Sequence, residues 1–286
     1  MEKYSVGSLN LTVVDQDKNL QFPALTLYPT RETSAPVSFG KYQIELAPNA
    51  TPAEGVFPVV IISHGGGGNP LLYRDLAVHL AKNGFIVSLP EHPGNNRQDN
   101  SLENTTENLE YRPRHLRLCA DAVMAEAKLK DSVLNDKIAL IGHSLGGYSA
   151  LAAAGGLPWM SMKEKLMVES DARVHALVLM APATAWFVRG GSLRNVSASI
   201  LLYHAELDTL TTTWQAQLVQ DYVHDKTKLK MVCVKGAGHY SFLCPFPAEM
   251  KSPNFPPSVD PEGFDREAFH VTMNEEIKDF LKEKFK

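Results

Sequence analysis

Cysteine is scarce in this 286-residue sequence, which contains only three, widely separated along the chain. Three scattered thiols do not form a disulfide framework, so the chain is unlike the small secreted domains that depend on one. Cys119 and Cys233 lie among apolar residues and are predicted to be small core side chains. Cys244 falls in a loop.

Long apolar runs and long runs of one charge are missing as well. No stretch approaches the roughly 18 apolar residues of a membrane helix. The formal net charge is only −4, which gives no electrostatic reason to expect nucleic acid or an anionic membrane as a partner. Residues 1–14 contain no apolar core of a signal peptide, so we expect a cytoplasmic protein.

Apolar runs alternate with amphipathic stretches through most of the chain. The predicted buried strands are residues 58–62, 85–89, 137–141, 174–180, 200–203 and 229–234. The predicted helices cover about residues 72–84, 112–130, 148–155, 212–224 and 265–286. Residues 1–56 consist of short β-like pieces and are expected to form antiparallel edge strands. The alternation predicts an α/β fold, with a mostly parallel sheet and helices on both faces, in one domain over residues 1–286.

A glycine-framed serine lies between a predicted strand and a helix of small residues, in the run Gly142-His143-Ser144-Leu145-Gly146-Gly147. Gly-x-Ser-x-Gly in this context is typical of a tight turn that exposes a nucleophilic serine. We therefore predict that Ser144 is the nucleophile. His143 is expected to be a packed structural residue, with its side chain pointing away from the serine hydroxyl.

The two partners of such a serine are expected later in the chain, first an acid and then a histidine. Asp208 follows the predicted strand 200–203 and is the preferred acid, with Glu206 as the rival. His239 follows the last predicted strand and is the candidate base. A serine hydroxyl is a weak nucleophile near neutral pH and needs such a base to take its proton. The acid would orient the imidazole and stabilise its charged form.

Four consecutive glycines, residues 65–68, follow the strand 58–62. Backbone N–H groups in such a loop, together with the one after the nucleophile, can bind the oxyanion formed at a carbonyl under attack. We predict donors at Leu145 and Gly66, with Gly67 as the alternative. A phosphate-binding loop is less well supported, since the Lys-Ser/Thr ending of a P-loop is missing. His64 is expected to hold the loop rather than bind a metal.

The pocket around the serine is harder to predict. Trp186, Phe187 and Tyr240 follow strand ends and are candidate substrate contacts, with plain core packing an equal alternative. Arg97, in the loop after strand 85–89, is a candidate contact for an anionic substrate or a rim residue. Two segments without clear strands, residues 157–171 and 244–262, are predicted to be insertions that shape the pocket.

Further segments combine with the serine turn into a familiar pattern: Ser63-His64-Gly65, Gly84-Phe85-Ile86-Val87, Glu91-His92-Pro93-Gly94-Asn95, Arg112-Pro113, Ala181-Pro182 and Gly238-His239. Over about residues 20–245 the sequence resembles the dienelactone-hydrolase-related esterases, a group similar to platelet-activating-factor acetylhydrolases. The resemblance implies an α/β-hydrolase with a Ser-Asp-His triad that cleaves esters of short or modified acyl groups. Dienelactone hydrolases themselves use a cysteine nucleophile where this chain has Ser144, which argues against dienelactone as the substrate.

We therefore expect a serine esterase that acts on small, soluble carboxylic esters through an acyl-enzyme, without a cofactor or a metal. A thioesterase or a hydrolase of small peptides and amides would use the same triad. A ligand-binding protein that kept the fold and lost turnover is a further alternative, although such proteins often lack the base. The expected partner is the ester substrate, with no nucleic acid and no membrane, and a homodimer is one assembly open to the chain.

Overall fold

Residues 4–286, the part of the chain described by the computed structural model, form ten strands and five α-helices. The strands are β1 (Ser5–Asp15), β2 (Leu20–Thr30), β3 (Ala35–Phe39), β4 (Tyr42–Pro48), β5 (Phe57–Ser63), β6 (Ile86–Pro90), β7 (Val133–His143), β8 (Val174–Met180), β9 (Ser199–Ala205) and β10 (Leu229–Val234). The α-helices are α1 (Arg74–Lys82), α2 (Thr106–Ala125), α3 (Leu145–Ala153), α4 (Thr213–Tyr222) and α5 (Arg266–Lys284). None of these helices combines the length and the apolar character that crossing a bilayer requires. Residues 1–3, the start of the predicted N-terminal strand region, lie outside the described residues.

The strands lie in the order β10-β9-β8-β7-β5-β6-β2-β1-β4-β3. The six strands β6-β5-β7-β8-β9-β10, given in their order across the sheet, are parallel to their neighbours. Strand β2 is antiparallel to both β1 and β6. The hairpin β3–β4 is antiparallel and joins β1 through a short parallel pairing. The predicted fold class, a mostly parallel sheet with helices on both faces and antiparallel strands from the N-terminal region, is confirmed.

Two apolar layers cover the faces of the sheet. Val59 and Ile61 of β5 point into the layer formed by α2, α3 and α4, whereas Val60 and Ile62 point into the layer formed by α1 and α5. A strand buried on both faces needs a continuous apolar run, which explains the pattern seen in the sequence. Because β5 to β10 are parallel, the loops at their carboxyl ends meet at one edge of the sheet, where ligand sites of such folds usually lie.

The structure differs from the predictions most clearly at α2 and β10, and β7 begins at Val133 rather than at residue 137. Helix α2 begins at Thr106, about six residues earlier than predicted, because the Thr105 hydroxyl caps it by accepting a hydrogen bond from the Asn108 N–H. Pro113 is accommodated inside this helix. The sequence predicts a buried strand at β10, but β10 is an edge strand, and Cys233 is exposed rather than part of the core. Cys119 is buried as predicted, and so is Cys244 in its loop.

Candidate active site

Ser144 occupies the sharp turn between β7 and α3. Its backbone has φ 55° and ψ −121°, a conformation that non-glycine residues rarely adopt and that is frequent at functional sites. The two glycines of the motif make the turn sterically feasible. A Cβ atom on Gly142 would overlap the carbonyl of Gly146, and one on Gly146 would overlap the carbonyl of Ser63. The sequence motif therefore folds into the strained turn that presents its serine at the edge of the sheet.

Asp208 and His239 meet at the carboxyl ends of β9 and β10. The Nδ1 atom of His239 lies 2.8 Å from Oδ2 of Asp208, and both side chains are buried. The other oxygen of Asp208 accepts hydrogen bonds from the backbone N–H groups of Leu210 and Thr211, each at 2.8 Å. The Thr211 hydroxyl lies 2.8 Å from Oδ2. The aspartate is thus held in one orientation toward the imidazole.

The electrostatics of this pair determine the tautomer of the histidine. Burial raises the pKa of the Asp208 carboxyl, but the hydrogen bond and charge of His239 and the Thr211 donors outweigh burial and bring the pKa below its usual value. The carboxylate can then only accept, so His239 carries a proton on Nδ1. The rival acid, Glu206, lies on the exposed side, where it pairs with Lys235 at 2.7 Å.

Ser144 and His239 line the same cavity, which has a volume of about 390 Å³. No hydrogen bond joins the Ser144 hydroxyl to His239 among residues 4–286. Catalytic hydrogen bonds are often long in ligand-free enzymes and tighten when substrate binds. The cavity brings together the serine, the imidazole and the glycine loop, as the sequence predicts.

Backbone N–H groups in the wall of the Ser144 cavity are left without an acceptor. The N–H groups of Gly66 and Leu145, the predicted pair, and of Gly67, the alternative, donate no hydrogen bond within the described part of the chain. Leu145 is the first residue of α3, where the helix itself leaves N–H groups unpaired. The two residues are neighbours, since a Cβ atom on Gly66 would lie 3.6 Å from Cδ2 of Leu145. This pair of free donors at the Ser144 cavity has the composition of an oxyanion hole.

A completely buried arginine anchors the glycine loop from behind. The guanidinium of Arg112 donates to the carbonyl oxygen of His64, to Oδ1 of Asn95 at 2.8 Å and to the Ser149 hydroxyl at 3.2 Å. No carboxylate pairs with it among residues 4–286. Burial lowers its pKa to about 9, so the group is still charged at neutral pH. One cation therefore ties the glycine loop, the loop after β6 and helix α3 together.

His64 holds the same loop through its own ring. Its Nε2 atom accepts a hydrogen bond from the His92 N–H at 3.2 Å, so its proton lies on Nδ1, which donates to the Gly65 carbonyl at 2.8 Å. Burial lowers the pKa of His64 to about 3, which keeps the ring neutral. The structural role predicted for His64 agrees with these contacts.

The pocket residues are only partly those predicted. Tyr240 lines the cavity, but Trp186 and Phe187 do not, because their rings pack on Tyr148 with centroid distances of 5.0 and 5.5 Å. Segment 157–171 contributes nothing to the cavity wall, whereas segment 244–262 contributes Phe255 and Pro257. The remaining side chains of the wall are those of Asn69, Leu72, Tyr73, Arg97, Glu103, His143, Leu145, Leu210 and Leu243.

Sequence reasoning assigned no role to Tyr73 or Thr211 and noted Arg112 only as part of a resemblance. Arg112 lies four residues before Leu116, on the apolar face of α2, and this placement is the one usable signal, because a cation there must find buried acceptors. Tyr73 and Thr211 carry no comparable signal. Their partners are distant in sequence or depend on the loop conformation.

Comparison with protein families agrees with the architecture. A family model described as the alpha/beta hydrolase fold matches residues 58–218, more than half of the chain. The match runs from β5 through α4 and includes Ser144 and Asp208, while His239 lies beyond it. Members of this family are generally hydrolytic. The strained serine turn, the buried Asp208–His239 pair and this match lead to one conclusion: the chain belongs to the alpha/beta hydrolase family.

Proposed function

We propose that the protein is a serine hydrolase of small carboxylic esters, related to the dienelactone-hydrolase group, and that Ser144, His239 and Asp208 are its catalytic triad. The observation that carries the proposal is the backbone of Ser144, held at φ 55° in a cavity that His239 also lines. Strain of this kind is retained where the surrounding structure enforces it, and it clusters at active sites.

In the proposed reaction, the Ser144 oxygen attacks the ester carbonyl while Nε2 of His239 takes the hydroxyl proton. The carbonyl oxygen becomes negative and accepts hydrogen bonds from the N–H groups of Gly66 and Leu145. Asp208 stabilises the imidazolium through the bond to Nδ1–H. Collapse of the tetrahedral intermediate breaks the bond to the alcohol oxygen, and His239 returns its proton to that oxygen.

The second half of the reaction repeats these roles with water. His239 takes a proton from a water molecule, whose oxygen attacks the acyl carbon bound to Ser144. The same two N–H groups hold the second oxyanion. Collapse releases the carboxylic acid and returns the proton to the serine oxygen, so each turnover consumes one ester and one water.

The size and lining of the cavity favour small esters. A volume of about 390 Å³ is near the lower end for small-molecule sites. Leu72, Leu145, Leu243 and Phe255 give the wall apolar surface that suits a short acyl chain. These features support short or modified acyl groups over long-chain lipids.

The test is hydrolysis of p-nitrophenyl acetate by the purified protein and by Ser144→Ala. We expect the substitution to lower kcat by about 10⁴-fold or more, since removal of a triad member leaves only the contribution of binding and the oxyanion hole. Ser197→Ala, at an exposed loop serine, is the control and keeps the wild-type rate.

A fluorophosphonate reacts covalently with a nucleophilic serine, and mass spectrometry of the intact protein detects the adduct. We expect one adduct on the wild type and none on Ser144→Ala. A Ser144→Ala protein that retains the wild-type rate contradicts the proposal.

A further inference from the structure

Ala181, directly after β8, has a strained backbone like that of Ser144. Its φ is 43°, a value that a residue with a Cβ atom rarely adopts. Among residues 4–286, Ser144 and Ala181 are the two positive-φ residues that are neither glycine nor asparagine. Such strain persists only where the surrounding structure enforces it, and it clusters at functional sites. The strain at Ala181 therefore calls for a functional explanation.

The turn at Ala181 is hydrogen-bonded to the turn that holds Ser144. The Ser144 N–H donates to the carbonyl oxygen of Met180 at 3.0 Å, and the Ser144 carbonyl oxygen accepts from the Ala183 N–H at 2.9 Å. Ala181 itself is held by its own N–H, which donates to the carbonyl oxygen of Tyr203 in β9 at 2.8 Å. The backbone of the nucleophile is thus fixed to the residues on either side of Ala181.

The Ala181 carbonyl oxygen lies next to a buried threonine that also contacts the acid and the base. Oγ1 of Thr211 lies 2.9 Å from that oxygen, 2.8 Å from Oδ2 of Asp208 and 3.1 Å from Nδ1 of His239. Thr211 is 7% exposed and is not part of the wall of the Ser144 cavity. Thr211 therefore contacts the acid, the base and the turn that supports the nucleophile, but not the space open to a substrate.

The Thr211 hydroxyl has one proton and two acceptors within reach. The Ala181 carbonyl and the ionised Asp208 carboxylate can only accept, so the hydroxyl donates to one of them at a time. The hydroxyl oxygen still has lone pairs, and the Nδ1–H of His239 can donate to them as well as to Asp208. The hydroxyl is therefore shared between the turn at Ala181 and the Asp208–His239 pair.

The alignment of nucleophile and base depends on how their loops are fixed. Ser144 follows β7, whereas Asp208 and His239 follow β9 and β10. A displacement of about 1 Å in a catalytic group can lower a rate about 100-fold. A hydroxyl that contacts the acid–base pair and the turn beneath the nucleophile supplies a contact that limits such displacement.

We propose that Thr211 is a positioning residue, whose hydroxyl aligns the Asp208–His239 pair with the turn that holds the nucleophile. Thr211 touches no reacting atom, and no proton is transferred through it. This inference rests on the proposed esterase function for the reaction whose rate it changes. The contact between the hydroxyl and the imidazole can be tested without turnover.

The kinetic test compares Thr211→Val, which has nearly the same shape and lacks the hydroxyl, with Thr211→Ser, which keeps it. With p-nitrophenyl acetate we expect Thr211→Val to lower kcat about 10- to 100-fold and to leave KM within about threefold, because the residue acts on alignment and not on binding. Thr211→Ser is expected to keep kcat within about threefold of the wild type. Thr211→Ala repeats the test without the branched side chain of valine.

Thr184→Val is the matched control. The Thr184 hydroxyl, which is also buried and follows β8, donates to the carbonyl oxygen of Gln215 in α4 at 2.8 Å. As described over residues 4–286, it forms no hydrogen bond with Asp208 or His239. We expect Tm to fall in both valine variants, since each loses a buried hydrogen bond. In Thr184→Val, however, kcat is expected to stay within about threefold of the wild type.

Proton NMR observes the Nδ1–H of His239 without any substrate. A buried imidazole proton held by a carboxylate resonates at low field, and His239→Gln identifies this signal by removing it. We expect Thr211→Val to shift the signal and Thr184→Val to leave it in place.

An equal fall in kcat for Thr211→Val and Thr184→Val, or for Thr211→Val and Thr211→Ser, overturns the positioning role. A wild-type rate in Thr211→Val with an unshifted Nδ1–H signal also overturns it and leaves the esterase function intact. A shifted signal in Thr211→Val, in a protein whose wild type hydrolyses no ester, supports the contact of Thr211 with the imidazole and contradicts the proposed function.

Discussion

The Nε2 atom of His143 lies 3.0 Å from the carbonyl oxygen of His239. A carbonyl only accepts, so His143 carries its proton on Nε2, and its Nδ1 atom must be an acceptor. The Tyr73 hydroxyl lies 2.9 Å from that Nδ1 and donates to it, while the Gly65 N–H donates to the same hydroxyl at 3.4 Å. His143, next to Ser144 in the chain, thus connects the glycine loop to the backbone of His239.

Removal of the Tyr73 hydroxyl is expected to weaken this connection. Tyr73→Phe leaves the Gly65 N–H without its acceptor and Nδ1 of His143 without its donor, both in a buried region. We expect the free energy of unfolding to fall by about 1–3 kcal/mol and kcat to fall with it, since the glycine loop loses a support. Thermal unfolding and p-nitrophenyl acetate kinetics measure the two effects.

The control for this change is Tyr111→Phe. Tyr111 lies on α2, is only partly buried and contacts Lys18 through its ring. We expect a change in unfolding free energy below about 0.5 kcal/mol. If Tyr73→Phe behaves like Tyr111→Phe in both measurements, the hydrogen bonds of Tyr73 contribute neither to the stability of the protein nor to its activity.

Arg112 is expected to be irreplaceable by lysine. Lys has three donors on a flexible stem and lacks the planar fork that reaches His64, Asn95 and Ser149 together. Arg112→Lys keeps a buried charge but leaves acceptors unpaired, so we expect a loss of about 2–3 kcal/mol in stability. Arg117 on the same helix forms an ion pair with Glu169, whose side chain is largely exposed. We expect Arg117→Lys to lower the free energy of unfolding by less than about 1 kcal/mol. Equal unfolding midpoints for the two variants would refute the anchoring role.

Stability is expected to fall in mild acid because of buried neutral histidines. Burial lowers the pKa of His64, His115 and His143 to about 3 each, whereas unfolded histidine titrates near about 6.5. Below pH 6.5 the unfolded chain therefore binds more protons than the folded one. The stabilisation is complete above about pH 6.5 and is lost progressively as the pH falls toward 3.

Between pH 6.5 and pH 5 the loss is on the order of 2 kcal/mol for each of the three histidines. Melting curves at pH 7 and pH 5 at constant ionic strength measure it. His115→Leu removes one of the three rings. We expect the number of protons taken up on unfolding in this pH range to fall by about one, so that the melting temperature depends less on pH. Identical melting temperatures at the two pH values would show that these histidines become protonated without unfolding the protein.

Much of the candidate site could be predicted from the sequence because its signals are local. The Gly142–Gly147 run, the glycines after β5 and the residues after β9 and β10 each depend on a strand end and a few neighbours. The predicted acid precedes the predicted base in the chain because Asp208 follows β9 and His239 follows β10. The structure places at one edge of the sheet the residues Ser144, Asp208, His239, Gly66 and Leu145, and their catalytic roles stay predictions.

The sequence by itself determined the alternation of strands and helices and the turn at Ser144, since a continuous apolar run or a glycine-framed serine has few structural solutions. Only the tertiary structure decided which residues surround them. Trp186 and Phe187 face the core because α3 presents Tyr148 to them, and Cys233 is exposed because β10 is the last strand of the sheet. Phe255 reaches the cavity from a segment more than 100 residues after Ser144. Such contacts depend on how distant elements pack, and packing leaves no local pattern in the sequence.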